Sequence, residues 1–223
     1  ARAAANPPRA AGRWSVLPLA STAATPRAHA LGETLLERYG VVTRGSVVAE
    51  GILGGFALAY RALSGFEDSG RARRGYFIEG QGGAQFATGA AVDRLRAAPR
   101  GQAFALAATD PANPFGAALD WPDTGEGGHR PARKGGAFVA IVDGEAVLYL
   151  ERGGRTALVF TDDDEALAAA ATALTETLRR GRADRIRVEE VGGQPVFGTP
   201  FGRALRAAGF RETPRGLRFD ARG

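Results

Sequence analysis

Cysteine is absent from the 223-residue chain, which excludes a disulfide framework, a thiolate-bound zinc site and a cysteine nucleophile. Methionine is absent too, position 1 included, so we expect a piece excised from a longer protein. The two histidines, His29 and His129, lie in different halves and supply no metal-ligand set. No run approaches the ~18 uninterrupted apolar residues of a membrane span, and the alanine-rich start lacks the apolar core of a secretory signal. Lysine is nearly missing: Lys134 stands alone among 29 basic residues, the rest being arginine. That skew fits a GC-rich genome as well as a preference for guanidinium forks.

What remains is a globular composition, 44% apolar, with length for one large domain or two small ones. The net charge of +5 is unevenly spread. Residues 1–100 carry 13 arginines against 7 acids, and the remainder carries 16 basic residues against 17 acids. A basic first half beside a near-neutral second half points to a polyanion met mainly through the first.

Residues 1–25, with Pro7, Pro8 and many alanines, read as a linker or the end of a preceding domain, with a short strand at Arg13 to Leu17. Thr25 followed by Pro26 then opens a helix with Ala28, Leu31, Leu35 and Tyr39 on one face and Gly40 as its stop. A second helix fits Arg44 to Glu50, and a third runs from Phe56 to Asp68 with Phe56, Tyr60 and Leu63 on one face. Arg71 to Ile78 and Ala84 to Thr88 read as strands joined by Gly80-Gln81-Gly82-Gly83. Three short helices and a glycine-turned hairpin make a winged helix-turn-helix over residues 26–98. In that geometry the third helix enters the major groove and the hairpin reaches the backbone or minor groove. Arg44, Arg61, Arg71, Arg73 and Arg74 then sit where phosphates pass, and Gln85 faces a base edge or is an exposed strand position. The competing reading is a protein-docking or oligomerisation module.

The character changes at Pro99, so a domain boundary is expected between Ala97 and Gly101. Strands are expected at Ala103 to Ala108, Ala137 to Val142, Glu145 to Glu151, Arg155 to Phe160 and Arg185 to Val191, with Asp143-Gly144 as a hairpin turn. A long loop over residues 115–136 holds Trp121, which packs internally or stacks on an unpaired base, and His129. A helix from Thr161 to Arg180 has acids first, arginines last and Gly181 beyond, and a shorter one runs from Thr199-Pro200 to Gly209 before a terminal ribbon at Phe210 to Phe219. The fold class is α+β: a winged helix-turn-helix followed, over residues 99–223, by a small β-barrel-like domain with a covering helix.

Several stretches resemble one family closely. They are Gly12-Arg13-Trp14-Ser15, the run from Arg38 to Gly45, Gly54-Gly55-Phe56, the run from Arg73 to Gly80, Ala84-Gln85-Phe86-Ala87, the run from Ala107 to Pro114, and the run from Val147 to Gly154. Together they resemble the carboxy-terminal end of the large helicase-related (Lhr) DNA repair proteins. The resemblance implies a superfamily 2 parent that moves along single-stranded DNA with ATP and Mg2+, in the bacterial cytoplasm near the nucleoid. It also implies likeness to AlkZ-type DNA glycosylases. Partners implied are single-stranded or damaged DNA, the rest of the helicase chain and a second copy of itself, with no membrane. The sequence contains no Gly-x-x-x-x-Gly-Lys-Ser/Thr and no Asp-Glu-x-His box, so helicase activity and its cofactors belong to the parent and not to this segment.

A glycosylase needs a carboxylate close to the sugar of a flipped nucleotide. Two positions are candidates, Asp110 in Asp110-Pro111 and Asp220 in the terminal ribbon. The alternatives are that Asp110 caps its own turn and that Asp220 is a solvated tail charge. Two function classes therefore stand side by side, a DNA-gripping accessory module and a uracil-DNA glycosylase module.

Overall fold

A computed structural model describes residues 15–19, 23–124, 129–181 and 186–220. The linker expected over residues 1–25 lies mostly outside these, and the described stretch 15–19 forms no strand.

Helix α1 (Ala24–Tyr39) starts two residues before Pro26, so the proline occupies the first turn, where its missing N–H costs nothing. Ala23, and not Thr25, is the cap residue. Gly40 closes the helix at φ 67°, its N–H donating to the Leu36 carbonyl at 2.9 Å. Strand β1 (Val41–Val42) leads directly into α2 (Arg44–Ala49), which a capping box nucleates. The Ser46 N–H donates to Thr43 Oγ1 at 3.1 Å and the Thr43 N–H to Ser46 Oγ at 3.0 Å. Helix α3 (Gly55–Asp68) follows from Gly54, which sits at φ 90°. Its buried stripe is Ala59, Leu63 and Phe66, one step round from the expected face, and Phe56 and Tyr60 lie half-buried at its border.

The wing is β2 (Arg73–Gly75) and β3 (Gln85–Ala87), and β3 lies between β1 and β2 in an antiparallel sheet. The ladder is shorter than its sequence suggests, because residues 76–84 leave it as a loop. Thr88 ends β3 by capping a helix absent from the sequence reading, α4 (Gly89–Arg96), through an Ala91 N–H to Thr88 Oγ1 bond of 3.2 Å. Leu35, Leu36, Val42, Val47, Ala59, Leu63, Phe66, Ala72 and Phe86 form one apolar cluster in this half.

Beyond residue 100 the chain builds strands β4 (Ala103–Ala107), β5 (Phe138–Val142), β6 (Glu145–Leu150) and β7 (Thr156–Val159) as an antiparallel meander. Asp143 (φ 49°) and Gly144 (φ 92°) form the β5–β6 turn. The Asp143 carboxylate also accepts the Gly101 and Gln102 N–H groups at 3.0 and 2.8 Å, tying the connection between the halves to the turn. Those two backbone donors hold the Asp143 carboxyl below its ordinary pKa. Helix α5 (Asp164–Arg180) is capped by Asp163, three residues later than expected, and Gly181 follows its last turn. Then come β8 (Ile186–Val188), β9 (Glu190–Val191), β10 (Gln194–Pro195), α6 (Pro200–Ala207, capped by Thr199), β11 (Arg211–Thr213) and β12 (Gly216–Phe219).

These strands do not close into a barrel. They form an open six-stranded sheet in the order β10-β9-β7-β6-β5-β4 and a separate three-stranded sheet in the order β11-β12-β8. The single strand expected over Arg185 to Val191 is where closure fails: the chain changes sheets at Glu189, so β8 pairs with β12 while β9 runs parallel to β7. A barrel is also unnecessary, because α5 covers the sheet with Leu167, Ala170, Ala171, Leu174 and Leu178. Its alanines let the helix lie flush on the strands, removing the apolar face from water without curling the sheet.

The larger apolar clusters divide by sequence, one set within residues 35–92 and the other within residues 105–219. One contact joins the halves at close range: a Cβ on Gly45 of α2 would stand 2.4 Å from the Ala118 carbonyl oxygen. The loop after β4 therefore rests on the start of α2 in a space that only glycine leaves open.

Candidate nucleic-acid interface

Arg44, at the first position of α2, is exposed beside the buried capping-box residues Thr43 and Ser46. Arg61 is exposed on the outer face of α3, opposite the Ala59, Leu63 and Phe66 stripe. Both line one open groove of about 750 Å3 with Gly54, Phe56, Ala57 and Tyr60. The exposed positions of α3 are Ala57, Arg61, Gly65 and, at its last residue, Asp68. Small residues allow close approach of a backbone, and a single guanidinium gives almost no vocabulary for reading bases. Arg73, on β2, is exposed as well. Arg44, Arg61 and Arg73 make no ion pair with any described residue.

The other two arginines of the expected set have partners within the protein. Arg71 pairs with Glu33 at 2.5 Å, meets His29 Nε2 at 3.0 Å and lies over the Phe66 ring at 4.7 Å. Its hydrogen bond is the main reason that the Glu33 carboxyl is held below its ordinary pKa. Arg74 pairs with Glu67, donates to the Tyr60 hydroxyl at 2.8 Å and stacks over Tyr60 and Phe86 at 5.3 and 5.2 Å. These two residues fasten the wing to α1 and α3, with charge already compensated.

Gln85 does not face a base edge. It is 0% exposed, and its amide closes the wing loop. Oε1 accepts the Phe77 and Ile78 N–H groups at 2.9 and 2.8 Å, and Nε2 donates to the Ile78 and Gln81 carbonyls at 3.0 and 3.2 Å. The loop is too wide for backbone ladder bonds to continue, so a buried amide supplies them.

Asp110 follows β4 and makes an Asx turn, Oδ1 accepting the Ala112 N–H at 2.8 Å. Around it is a knot that the sequence did not advertise. Asn113, buried, donates to the Ala108 carbonyl at 2.9 Å and accepts the Phe115 N–H at 3.0 Å. Arg133 donates to the Asn113 and Asp110 carbonyls at 2.6 and 2.9 Å. A guanidinium bound only to carbonyls leaves no charge pattern to find in a sequence. Asp220 follows β12 and accepts from Arg218 at 2.8 Å. Trp121 stacks on Phe115 at 5.8 Å and meets Tyr149 edge-on at 5.4 Å, which is internal packing. His129 is exposed in its loop. Among the described residues no group of His, Asp and Glu gathers as metal ligands, and no helix is long and apolar enough to cross a membrane.

Residues 21–105 match the family described as "Large helicase-related protein, winged-helix domain". Over 226 residues the chain is 51% identical to the "Lhr helicase/ probable uracil glycosylase" of Mycolicibacterium smegmatis, covering 95% of this chain and 15% of that protein. The chain belongs to the Lhr family. It is also 43% identical over 228 residues to the "Lhr helicase/uracil glycosylase" of Escherichia coli, covering 97% of this chain and 14% of that protein. The chain thus spans about one-seventh of the length of the curated relatives it matches. The matched Lhr winged-helix region runs from α1 into β4, so it contains every arginine of the groove and the wing.

Proposed function

We propose that this segment of an Lhr protein grips DNA through its winged helix, by charge and without reading sequence. The observation that carries the reading is the division among the arginines. Arg71 and Arg74 are neutralised by Glu33 and Glu67, whereas Arg44, Arg61 and Arg73 are exposed and pair with no acid among the described residues. Guanidinium groups left without partners in a basic half are suited to phosphate oxygens, which fix a protein on DNA without carrying sequence information. Binding to several unrelated duplexes of equal length tests this. Near-equal affinities are expected, and strong preference for one sequence would overturn the reading. ATP and Mg2+ have no part in it, since the segment has no phosphate-binding loop sequence.

The names of the relatives favour a second reading, excision of uracil. The reaction needs an ionised carboxylate beside the sugar as the bond to the base breaks. Asp110 and Asp220 are the two positions proposed for it. Asparagine keeps an Asx turn but cannot balance a developing positive charge. Uracil-containing single-stranded DNA, treated with the chain and then with alkali, reads excision. Loss of at least ~10²-fold in Asp110→Asn or Asp220→Asn would assign the role, by analogy with removal of one charge-stabilising donor elsewhere. Excision intact in both variants would remove both carboxylates from the mechanism.

A further inference from the structure

The wing carries an aromatic side chain with no structural employment. Tyr76 is 84% exposed, the most exposed aromatic residue among those described, and its hydroxyl has no hydrogen-bond partner among them. A single exposed aromatic ring is ordinary, but this one rests against a glycine. One side of it lies against Gly83 across the loop: a Cβ there would stand 2.8 Å from the Tyr76 hydroxyl oxygen and 3.2 Å from Cε1 and Cζ. Only glycine leaves the ring that seat. The loop beneath is fixed by the four hydrogen bonds of buried Gln85, and Gly75 is close-packed under the Phe77 ring. Arg73, exposed and without an ion pair among the described residues, lies three positions earlier in sequence, and residues 71–88 contain three arginines against one acid, Glu79.

An exposed aromatic ring with one open side, three residues along the chain from a guanidinium that pairs with no described residue, has the chemistry that receives a nucleobase and its phosphate. Bases within a duplex hide their faces in the stack, so the plate finds a ligand only where a base is unpaired. We infer that Tyr76 stacks on an unpaired nucleobase of single-stranded DNA while Arg73 neutralises a neighbouring phosphate. This rests on the DNA-binding reading above and adds to it a preference for unpaired nucleotides.

The test compares the 223-residue chain with Tyr76→Ala and Tyr76→Phe on a labelled single-stranded oligonucleotide and on its duplex, followed by fluorescence anisotropy. Tyr76→Ala is expected to weaken single-strand binding about 5- to 140-fold, the range for one stacked base, and to leave duplex affinity within about twofold, since phosphate contacts are untouched. Tyr76→Phe keeps the ring and retains single-strand affinity. Unchanged melting curves are expected in both variants because the side chain is outside the core. Equal loss on both DNAs, or no loss on either, overturns the stacking role alone, as does a wild-type chain that binds duplex but not single strands. A wild-type chain that binds neither DNA overturns the underlying reading.

Discussion

Replacing Gln85 by leucine preserves much of its volume and removes four hydrogen bonds at once, two accepted from Phe77 and Ile78 and two donated to Ile78 and Gln81. Each such bond is worth about 0.5–1.5 kcal/mol net. The lower part of the summed range applies, because the loop groups are only part-buried and water can reach them once the loop opens. A loss of about 2–3 kcal/mol is therefore expected, a large fraction of the ~5–15 kcal/mol typical of a domain. Chemical denaturation measures the loss, and amide exchange locates it, with faster exchange at Phe77 and Ile78. Gln85→Glu gives a second version: one carboxylate oxygen still accepts the Phe77 and Ile78 N–H groups, but the other faces the Ile78 and Gln81 carbonyls with no proton to donate, so a loss of stability is expected there too. Had Gln85 been a reader of base edges, both substitutions would alter sequence preference and leave stability alone. Unchanged denaturation midpoints and unchanged exchange at Phe77 and Ile78 would refute the reasoning.

Two further perturbations follow from the packing. Gly45→Ala sets a methyl 2.4 Å from the Ala118 carbonyl, so the loop after β4 must move away at a cost of about 1–3 kcal/mol, read by thermal melting; an unaltered melting curve would mean that the contact is loose. Glu50 accepts from Arg38 at 2.5 Å and Tyr39 at 2.8 Å, and the Arg38 hydrogen bond, first of all, holds its carboxyl below the ordinary pKa. Its contribution is present above the unfolded carboxyl pKa and is lost as pH falls through the lowered folded value, so Glu50→Gln should cost about 1 kcal/mol near neutrality, discounted for the exposed arginine, and less in acid.

Much of the winged helix was legible because its boundaries are set by local chemistry. Gly40 must take positive φ, and Thr43 and Ser46 cap each other within four residues. Asp143-Gly144 and Thr199-Pro200 were readable for the same reason. What escaped depended on partners far away in sequence. Helix α4 was missed because Thr88, its cap, also ends a strand. The barrel expectation failed because nothing local marks Glu189 as the point where the chain leaves one sheet for another. In the candidate site, the arginines were legible as a group but not as individuals. Arg71 and Glu33 are 38 residues apart in sequence, and no spacing rule separates a guanidinium that fastens the wing from one left for a phosphate. Gln85 lies between apolar wing residues and read as a base-edge contact or an exposed strand position, yet a loop needing four hydrogen bonds holds it buried.

The central claim is that Arg44, Arg61 and Arg73, and not Arg71 and Arg74, meet the phosphates. The most direct measurement is duplex affinity across a salt series for the wild-type chain and the Arg44→Ala/Arg61→Ala/Arg73→Ala variant, with melting curves confirming that both are folded. Each lost phosphate contact should reduce the slope of log affinity against log salt by about 0.9, so the triple variant should flatten it by up to about 2.7 while its stability stays near wild type. A triple variant with the wild-type slope would contradict the account, and a slope flattened instead by Arg71→Ala/Arg74→Ala would place the DNA on the wrong arginines.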